Sequence, residues 1–522
     1  MLTQVFIKLL LSAYISLIAL QQTNAANILA IFPFPGPSQY ICVQAYLKAL
    51  AARGHEVTVI SAFPQKKPLQ NFRDISLAEI LDGYEETIVD VITEERNKWQ
   101  ELNLYYDFFT GGTLSVLKSP KVQELLHSNE HFDLIIVEAL QMDAIYALAH
   151  HYNALLIGVS TFGTDPTIDE LVGNTSPISY VPLPLSQLSD RMNFWQRLQN
   201  LWHHLLHQMH MHLFYLPNQA AIYKQYFPNS TADIYAVRKN FSLVLLNQHF
   251  AISFPRPYVP NAIEVAGMHI SQRAGKLPTD IENFIKDAKQ GAIYFSLGSN
   301  VKSKNLSKDR LETIMRVFAS LPYNILWKFE AIELPNKPPN VYINKWFAQS
   351  DVLAQPNVKL FISHAGLLST TEAIHYAKPL VGMPVFFDQF LNMERIKRAG
   401  IGVFVDYKSF TYDELRSAIV EVMENPKYTQ TIQQMSRRYH DQPMKPLDKA
   451  IFWTEYVLRH GGAPHMRVTA QELNFIQYHS LDTLLVLLGG VILVSLMPSW
   501  FVYRNVKRLL LGDHGKIKLK HN

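Results

Sequence analysis

Short, nearly uninterrupted apolar runs alternate with stretches of helical spacing along most of this chain. The run at 27–32 ends in Pro33 and Gly36, positions 43–52 repeat apolar residues at helical intervals, and 57–60 is a second apolar run. Together they predict a strand–helix–strand unit. Residues 134–137, 142–152 and 155–159 predict another. From 165 to about 241 the pattern loosens into helices and loops rich in aromatics, His and Pro, the composition of a pocket wall. Pro255, Pro257 and Pro260 precede the apolar run 263–266, and a polar stretch to Gly291 marks a boundary. The alternation then restarts, with strands at 293–297, 325–328, 341–344, 360–362 and 380–381 and helices at 310–320, 368–376 and 389–399. Continuous apolar strands between helices imply parallel sheets covered on both faces. Two such halves predict two Rossmann-like domains facing each other across a cleft, with ligands beyond the carboxyl ends of the strands.

The two ends carry a different pattern. Residues 1–25 hold an apolar run broken by Lys8 and closed by Thr23-Asn24-Ala25. This reads as a secretory signal peptide, with an uncleaved amphipathic anchor as the alternative. Residues 483–503 carry no charge and, as a helix, are long enough for a bilayer core, which needs about 20 residues. Trp500 and Tyr503 lie at one edge and Arg504, Lys507 and Arg508 follow, so that side is expected in the cytosol. A buried core helix is the competing reading. The chain closes on Lys518-Leu519-Lys520-His521-Asn522, similar to the Lys-x-Lys-x-x tails that return type I proteins to the endoplasmic reticulum. A generic basic tail is the plainer account. The expectation is a single-pass type I protein of that membrane with a lumenal body and sequons starting at Asn174, Asn229, Asn240 and Asn305. Asn174 is the weakest, because Pro177 follows its Ser176.

Composition removes several classes. With 48% hydrophobic and 18% charged residues the chain can bury large cores, which excludes global disorder. A net charge of +4 without a basic stripe argues against nucleic acid. The single cysteine, Cys42, rules out an intramolecular disulfide and a cysteine-based metal site. His203, His204, His207, His210 and His212 invite a metal reading, but no carboxylate or Cys joins them. A pocket-lining or membrane-facing amphipathic helix accounts for them better.

The chemistry concentrates between Trp346 and Gln389. In Phe361-Ile362-Ser363-His364-Ala365-Gly366 a strand ends, a turn follows and a helix opens, an arrangement that favours a phosphate. His364 and Ser369 can donate to phosphate oxygens. Glu372, two helical turns past His364, can accept from two ribose hydroxyls. Trp346 offers a flat face for a base, and Asp388-Gln389 offers an acceptor and a donor for sugar hydroxyls. Taken singly these are a turn histidine, a core tryptophan and a helix cap.

In this order and spacing, Trp346-Phe347-Ala348-Gln349, His364-Ala365-Gly366, Ser369, Glu372, Pro379, Pro384 and Asp388-Gln389 closely resemble the donor signature of UDP-glycosyltransferases. Phe295-Ser296-Leu297-Gly298-Ser299, Gly54-His55-Glu56-Val57 and the two ends fit as well, so the resemblance covers nearly the whole chain. Leu367-Leu368 looks more like insect members. The resemblance implies a GT-B fold: signal peptide 1–25, acceptor-binding domain 26–265, UDP-sugar domain 266–460, membrane-proximal segment 461–482, span 483–503 and tail 504–522. It implies that Trp346 stacks on uracil and that Gln349 and Glu372 bind the ribose. Ser299, His364, Gly366 and Ser369 would hold the diphosphate, and Asp388 and Gln389 the sugar. Where this chain has Leu368 the family commonly has Asn, which leaves one phosphate contact to the backbone. The implied reaction is inverting transfer of a sugar, glucose on the insect-like resemblance, from UDP to a small lipophilic acceptor. No metal or other cofactor is expected, and homo- and hetero-oligomers are both open.

One position breaks the pattern. The family's general base is a His after a Ser in the first strand–helix loop, and this chain reads Gly36-Pro37-Ser38-Gln39-Tyr40 there. An amide has no useful basicity near neutral pH. The orienting carboxylate matches Glu138, which is then either a structural remnant or a base acting through water. The rival to an enzyme is a non-catalytic membrane protein of the same fold that binds UDP-sugar or a hydrophobic ligand.

Overall fold

The computed structural model describes residues 25–184, 186–271 and 275–510. The expected signal segment up to residue 24 and the closing Lys518–Asn522 motif lie outside the described residues.

Two parallel sheets carry the body. The first contains β1 (Asn27–Phe32), β2 (Glu56–Ser61), β3 (Phe72–Ser76), β4 (Leu134–Glu138), β5 (Leu155–Ser160), β6 (Leu243–Leu246) and β7 (Ala262–Glu264), ordered β3-β2-β1-β4-β5-β6-β7. The second contains β8 (Ala292–Ser296), β9 (Asn324–Lys328), β10 (Val341–Asn344), β11 (Val358–Ser363), β12 (Leu380–Gly382) and β13 (Gly402–Phe404), ordered β10-β9-β8-β11-β12-β13. The period of two shows in the packing. Leu29 and Ile31 of β1 join one buried cluster, while Ile28, Ala30 and Phe32 join another on the opposite face. In β8, Ile293 and Phe295 divide from Ala292 and Tyr294 in the same way. Both faces are apolar because helices cover both, and the strands read as continuous apolar runs for that reason.

In each sheet the strand order reverses once, between β1 and β4 and between β8 and β11. A crevice opens at such a reversal, outside the carboxyl ends of the strands. The loop after β1 enters helix α1 (Pro37–Ala52), with Pro37 in its first turn, where no N–H is missed. The loop after β11 enters helix α2 (Leu367–His375).

Two segments tie the halves together. The helix Tyr84–Thr93 belongs by sequence to the first half, yet Ile88 is buried in a second-sheet cluster and Glu85 pairs with Lys302 and Lys304. Helix α3 (Pro446–Arg459), inside the span 266–460, packs on the first sheet. Thr454 Oγ1 lies 2.6 Å from Tyr46 Oη, and Arg53 donates to Glu455 Oε2 at 2.9 Å.

Residues from Val468 onward form a separate unit. Its main element is α4 (Leu481–Leu510), 30 residues with Pro498 inside, and it is long and apolar enough to cross a membrane. It extends past the expected 483–503 at both ends. Arg504 sits over the Trp500 ring at 5.1 Å and Lys507 over Tyr503 at 5.9 Å.

Candidate functional site

The two reversal points open on one cavity of about 280 Å³. Its lining includes Ser299, Trp346, Gln349, His364, Gly366, Ser369, Glu372, Asp388 and Gln389 from the second half, and Gln39 from the first. Every expected residue of the donor set is therefore brought together. Glu138 does not line the cavity; it stands behind Thr161, which does.

The turn after β11 is built around His364. A methyl group placed on Gly298 or on Gly366 would overlap the imidazole, so two glycines make room for one ring. Gly298 has φ +84° and Ala365 φ +61°, the left-handed region. Such backbone persists where the surroundings over-determine it, as at a preorganised site. Burial, with Lys328 nearby, pushes the His364 imidazole down to about 4, so the ring is neutral at pH 7. Its Nδ1 has no hydrogen-bond partner among the described residues. A neutral imidazole can donate one N–H to a phosphate oxygen and brings no charge. Positive potential comes from two other sources: the first N–H groups of α2, which lack intrahelical acceptors, and Lys328 at the end of β9. Lys328 Nζ pairs with Glu330 at 2.6 Å and lies 5.6 Å from the centre of the Trp346 ring. Trp346 itself stands two residues past the end of β10 and is 56% exposed, a face free to receive a base.

Glu372 is held by Gln349 and faces His269. Its Oε2 accepts from Gln349 Nε2 at 2.7 Å, and its Oε1 lies 3.2 Å from His269 Nε2. The Gln349 amide also donates to Ser369 Oγ at 3.1 Å. The ribose and phosphate candidates thus form one connected group. Glu372→Ala removes a charged acceptor, and UDP binding should weaken by about 1.5–3 kcal/mol, the range for hydrogen bonds to charged groups. Titration calorimetry with UDP checks it; unchanged affinity would remove Glu372 from the donor site.

Asp388 stands at the N-cap of the helix Gln389–Ala399 but makes no cap bond; it accepts from Asn392 Nδ2 at 2.7 Å. Burial pushes its carboxyl up to about 6. Gln389 Oε1 accepts from the Val385 and Phe386 N–H groups at 2.8 and 3.2 Å. That oxygen is committed to holding the loop, which leaves the amide N–H for a sugar hydroxyl.

On the opposite wall Gln39 Oε1 accepts from Ser38 Oγ at 2.8 Å. Among the described residues no hydrogen bond joins Gln39 to Glu138. Glu138 closes β4 and is buried; its Oε1 accepts from Thr161 Oγ1 at 3.2 Å and its Oε2 has no partner. Burial pushes its carboxyl up to about 8, against the donors Thr161 and the Phe34 N–H. At neutral pH it is mostly the neutral acid. A folded-state pKa above the unfolded value favours the fold fully below about 4.5, and that stability drains away as pH rises to about 8. Glu138→Gln cannot ionise and escapes this loss. Its thermal midpoint should gain on the parent across that window and run parallel above it, which scanning calorimetry at pH 5, 7 and 8.5 would register. A gap independent of pH would refute the buried acid.

In the histidine run, His203 and His207 line a second cavity of about 70 Å³, and His204, His207 and His210 are buried. His207 lies between Tyr106 Oη at 3.2 Å and Thr167 Oγ1 at 3.0 Å, and His210 stacks on Tyr106 at 4.2 Å. No metal-binding group of three is present among the described residues. Asn229, Asn240 and Asn305 are exposed. Asn174 is engaged through both side-chain atoms, donating to Asp169 at 2.8 Å and accepting from Val259 N–H at 3.1 Å, so a glycan would break this loop's bonding.

Lys328 and His269 escaped the sequence reading. Lys328 carried a usable signal, a cation at the carboxyl end of an apolar strand. His269 carried none, because its partner is 103 positions away (372 − 269).

Comparison with known proteins agrees with this geometry. The sequence model described as "UDP-glucoronosyl and UDP-glucosyl transferase" matches residues 29–516. UDP-glucosyltransferase 2 of Dactylopius coccus is 34% identical, covering 97% of each chain. Human UDP-glucuronosyltransferase 2B15 is 31% identical over 96% of each chain. Human 2-hydroxyacylsphingosine 1-beta-galactosyltransferase is 32% identical over 93% of this chain and 90% of its own. Among solved structures, the calicheamicin glycosyltransferase CalG4 superposes with TM-score 0.54 at 15% identity, over 84% of this chain and 99% of its own. That likeness fixes the GT-B arrangement of the two sheets. A family match running from the first strand into the tail, supported by relatives that align end to end, establishes that this chain belongs to the UDP-glucuronosyl- and UDP-glucosyltransferase family.

Proposed function

We propose that this protein transfers glucose with inversion from UDP-glucose to a small lipophilic acceptor, in the lumen of the endoplasmic reticulum. The observation that carries this reading is the single cavity with the donor set on one wall and Gln39 on the other. In the reaction the acceptor's heteroatom forms a bond to the anomeric carbon as the bond to the UDP oxygen breaks. The leaving diphosphate gathers negative charge beside Lys328 and the start of α2, where fixed donors stabilise it. The acceptor's proton must also leave. Gln39 cannot take it, and Glu138 is mostly protonated until pH approaches 8. Acceptors that attack through a nitrogen lone pair and lose the proton afterwards, or that give it up to water before the attack because their pKa is low, avoid the difficulty. Amines, thiols and acidic phenols are therefore the favoured class over aliphatic alcohols. The test is an acceptor screen with UDP-glucose that includes alcohols and amines.

The amide at the base position and the neutral Glu138 also favour a second reading, a protein that binds UDP-sugar without turning it over. UDP binding with no transfer to any acceptor class in the screen selects it.

For topology, α4 is read as the membrane span with the body lumenal and the basic end cytosolic. Protease added to intact microsomes should trim only residues after the span. Digestion of the body would reverse the orientation.

A further inference from the structure

Where the chain leaves β7 for the second half it makes a tight turn that both halves hold. Val265 N–H donates to Leu246 O at 2.8 Å, Met268 N–H to Val265 O at 3.1 Å and Ile270 N–H to Gly267 O at 3.0 Å. Val265 and Met268 are buried in a cluster of the first sheet. From the second half, Tyr439 on the helix Pro426–His440 donates its hydroxyl to Ala266 O at 3.0 Å. Gly267 lies at φ +93°, and a methyl group there would run into that hydroxyl, so the backbone path is fixed at this point. The turn presents His269 to the donor cavity. Its side chain is only 2% exposed, and the residue lines the cavity beside Glu372. Nε2 lies 3.2 Å from Glu372 Oε1, yet neither ring nitrogen makes a hydrogen bond among the described residues. A polar group buried without a partner costs free energy, so a partner from outside the chain is called for.

We propose that His269 reads the ribose of the nucleotide: one of the two ribose hydroxyls pairs with its ring and the other with Glu372. This rests on reading the cavity as the UDP-sugar site. The cavity wall presents a carboxylate oxygen and an imidazole side by side, and a ribose presents two neighbouring hydroxyls. A ring nitrogen that carries a proton donates to a hydroxyl oxygen and one that lacks it accepts the hydroxyl proton, so a hydroxyl suits either tautomer. Gln349 is not a rival for this task. Both N–H groups of its amide are spent, on Glu372 Oε2 and on Ser369 Oγ, so it holds the carboxylate in place. A site built to hydrogen-bond a hydroxyl rejects the analogue that lacks it, because its own buried groups are left unpaired. Here the two hydroxyls are read by different residues, so discrimination against each deoxyribose is separable. Glu372 acting alone on both hydroxyls would make no such separation. The placement also gives ribose recognition to the connection between the halves, since the turn that carries His269 is set by the first sheet and by Tyr439 together.

Titration calorimetry on the full chain in detergent, with UDP, 2′-deoxy-UDP and 3′-deoxy-UDP, tests this. The parent should bind each deoxy nucleotide at least about fivefold more weakly than UDP. In His269→Ala the penalty for one of them should shrink to under about twofold, while the penalty for the other persists. His269→Phe keeps a ring in the space without its nitrogens and should behave as His269→Ala does. His269→Gln, whose amide both donates and accepts, should restore part of the lost discrimination. Unchanged ratios in His269→Ala and His269→Phe overturn the proposal and leave both hydroxyls to Glu372. Equal weakening of all three nucleotides, loss of UDP binding included, means that the ring only props the site and overturns it as well. A parent that binds either deoxy nucleotide as well as UDP also overturns it. Failure of the donor-site reading looks different: the parent does not bind UDP, or Glu372→Ala leaves UDP affinity unchanged, and the proposal then falls with that reading.

Discussion

Gln39→His is expected to raise turnover on an aliphatic alcohol by up to about 10²-fold at saturating UDP-glucose, while an amine gains little. A positioned base is worth about 10²–10⁴-fold, and an alcohol, with its high pKa, has the most to gain. The donor side needs no change, because the residues that would position UDP-sugar already share one cavity. The Gln39 side chain lies close against Gly36, in the tight loop after β1, so the imidazole would enter a confined space. Its helper is Glu138, now mostly neutral with a carboxyl near 8. An imidazolium forming beside it favours the ionised carboxylate. The gain should therefore grow as pH rises from 7 toward 8. It falls short of the upper figure to the extent that the Glu138 side chain misplaces the ring. Turnover against pH on one alcohol and one amine, for parent and variant, decides the matter. Equal alcohol turnover in both would mean that another group takes the proton. UDP binding without turnover in either would favour the binder.

Gly298→Ala should lower turnover by about 10²-fold, the cost of displacing a group that positions the substrate by roughly 1 Å. Two penalties combine there. The left-handed backbone at φ +84° costs an L-residue about 1–2 kcal/mol. The new methyl also runs into His364, which Gly366 holds from the other side. Gly54→Ala separates the two, because Gly54 has φ +97° and open space around its Cα. That variant should lose thermal stability and keep its kinetics. If Gly298→Ala and Gly54→Ala behave alike, the His364 position matters less than the fold around it.

How much of this was legible depended on the distance over which each feature is encoded. The stretch from Trp346 to Gln389 was readable because its roles follow from local turns and one helix, and the strand Val341–Asn344 and helix Gln389–Ala399 fall where the pattern puts them. The edge strand β3 was not readable. Its sequence FRDIS has one half-open face and no apolar run. The helix Lys98–Lys118 hid because apolar residues outside its buried set, Leu104, Tyr105, Phe108 and Leu114, blur the spacing of its buried positions Tyr106, Phe109, Thr113 and Val116. The place of Glu138 came from resemblance, and its charge state could not. That state depends on burial and on Thr161 and Phe34, far apart in sequence and adjacent only in the fold. For Gln389 the sequence showed an amide near the sugar but not that half of it is already taken by the Val385–Phe386 turn.

The return of α3 to the first sheet has a consequence for anyone dividing this protein. A cut near residue 266, the natural place from the sequence, would strip the N-terminal fragment of Ala450 and Val457, which are fully buried against it. It would also leave Tyr46 and Arg53 without Thr454 and Glu455. The same cut would give the C-terminal fragment a helix with nothing to lean on. Supplied together, the two fragments carry complementary surfaces, so this chain is suited to reassembly from split halves, with residues 446–459 as the clasp.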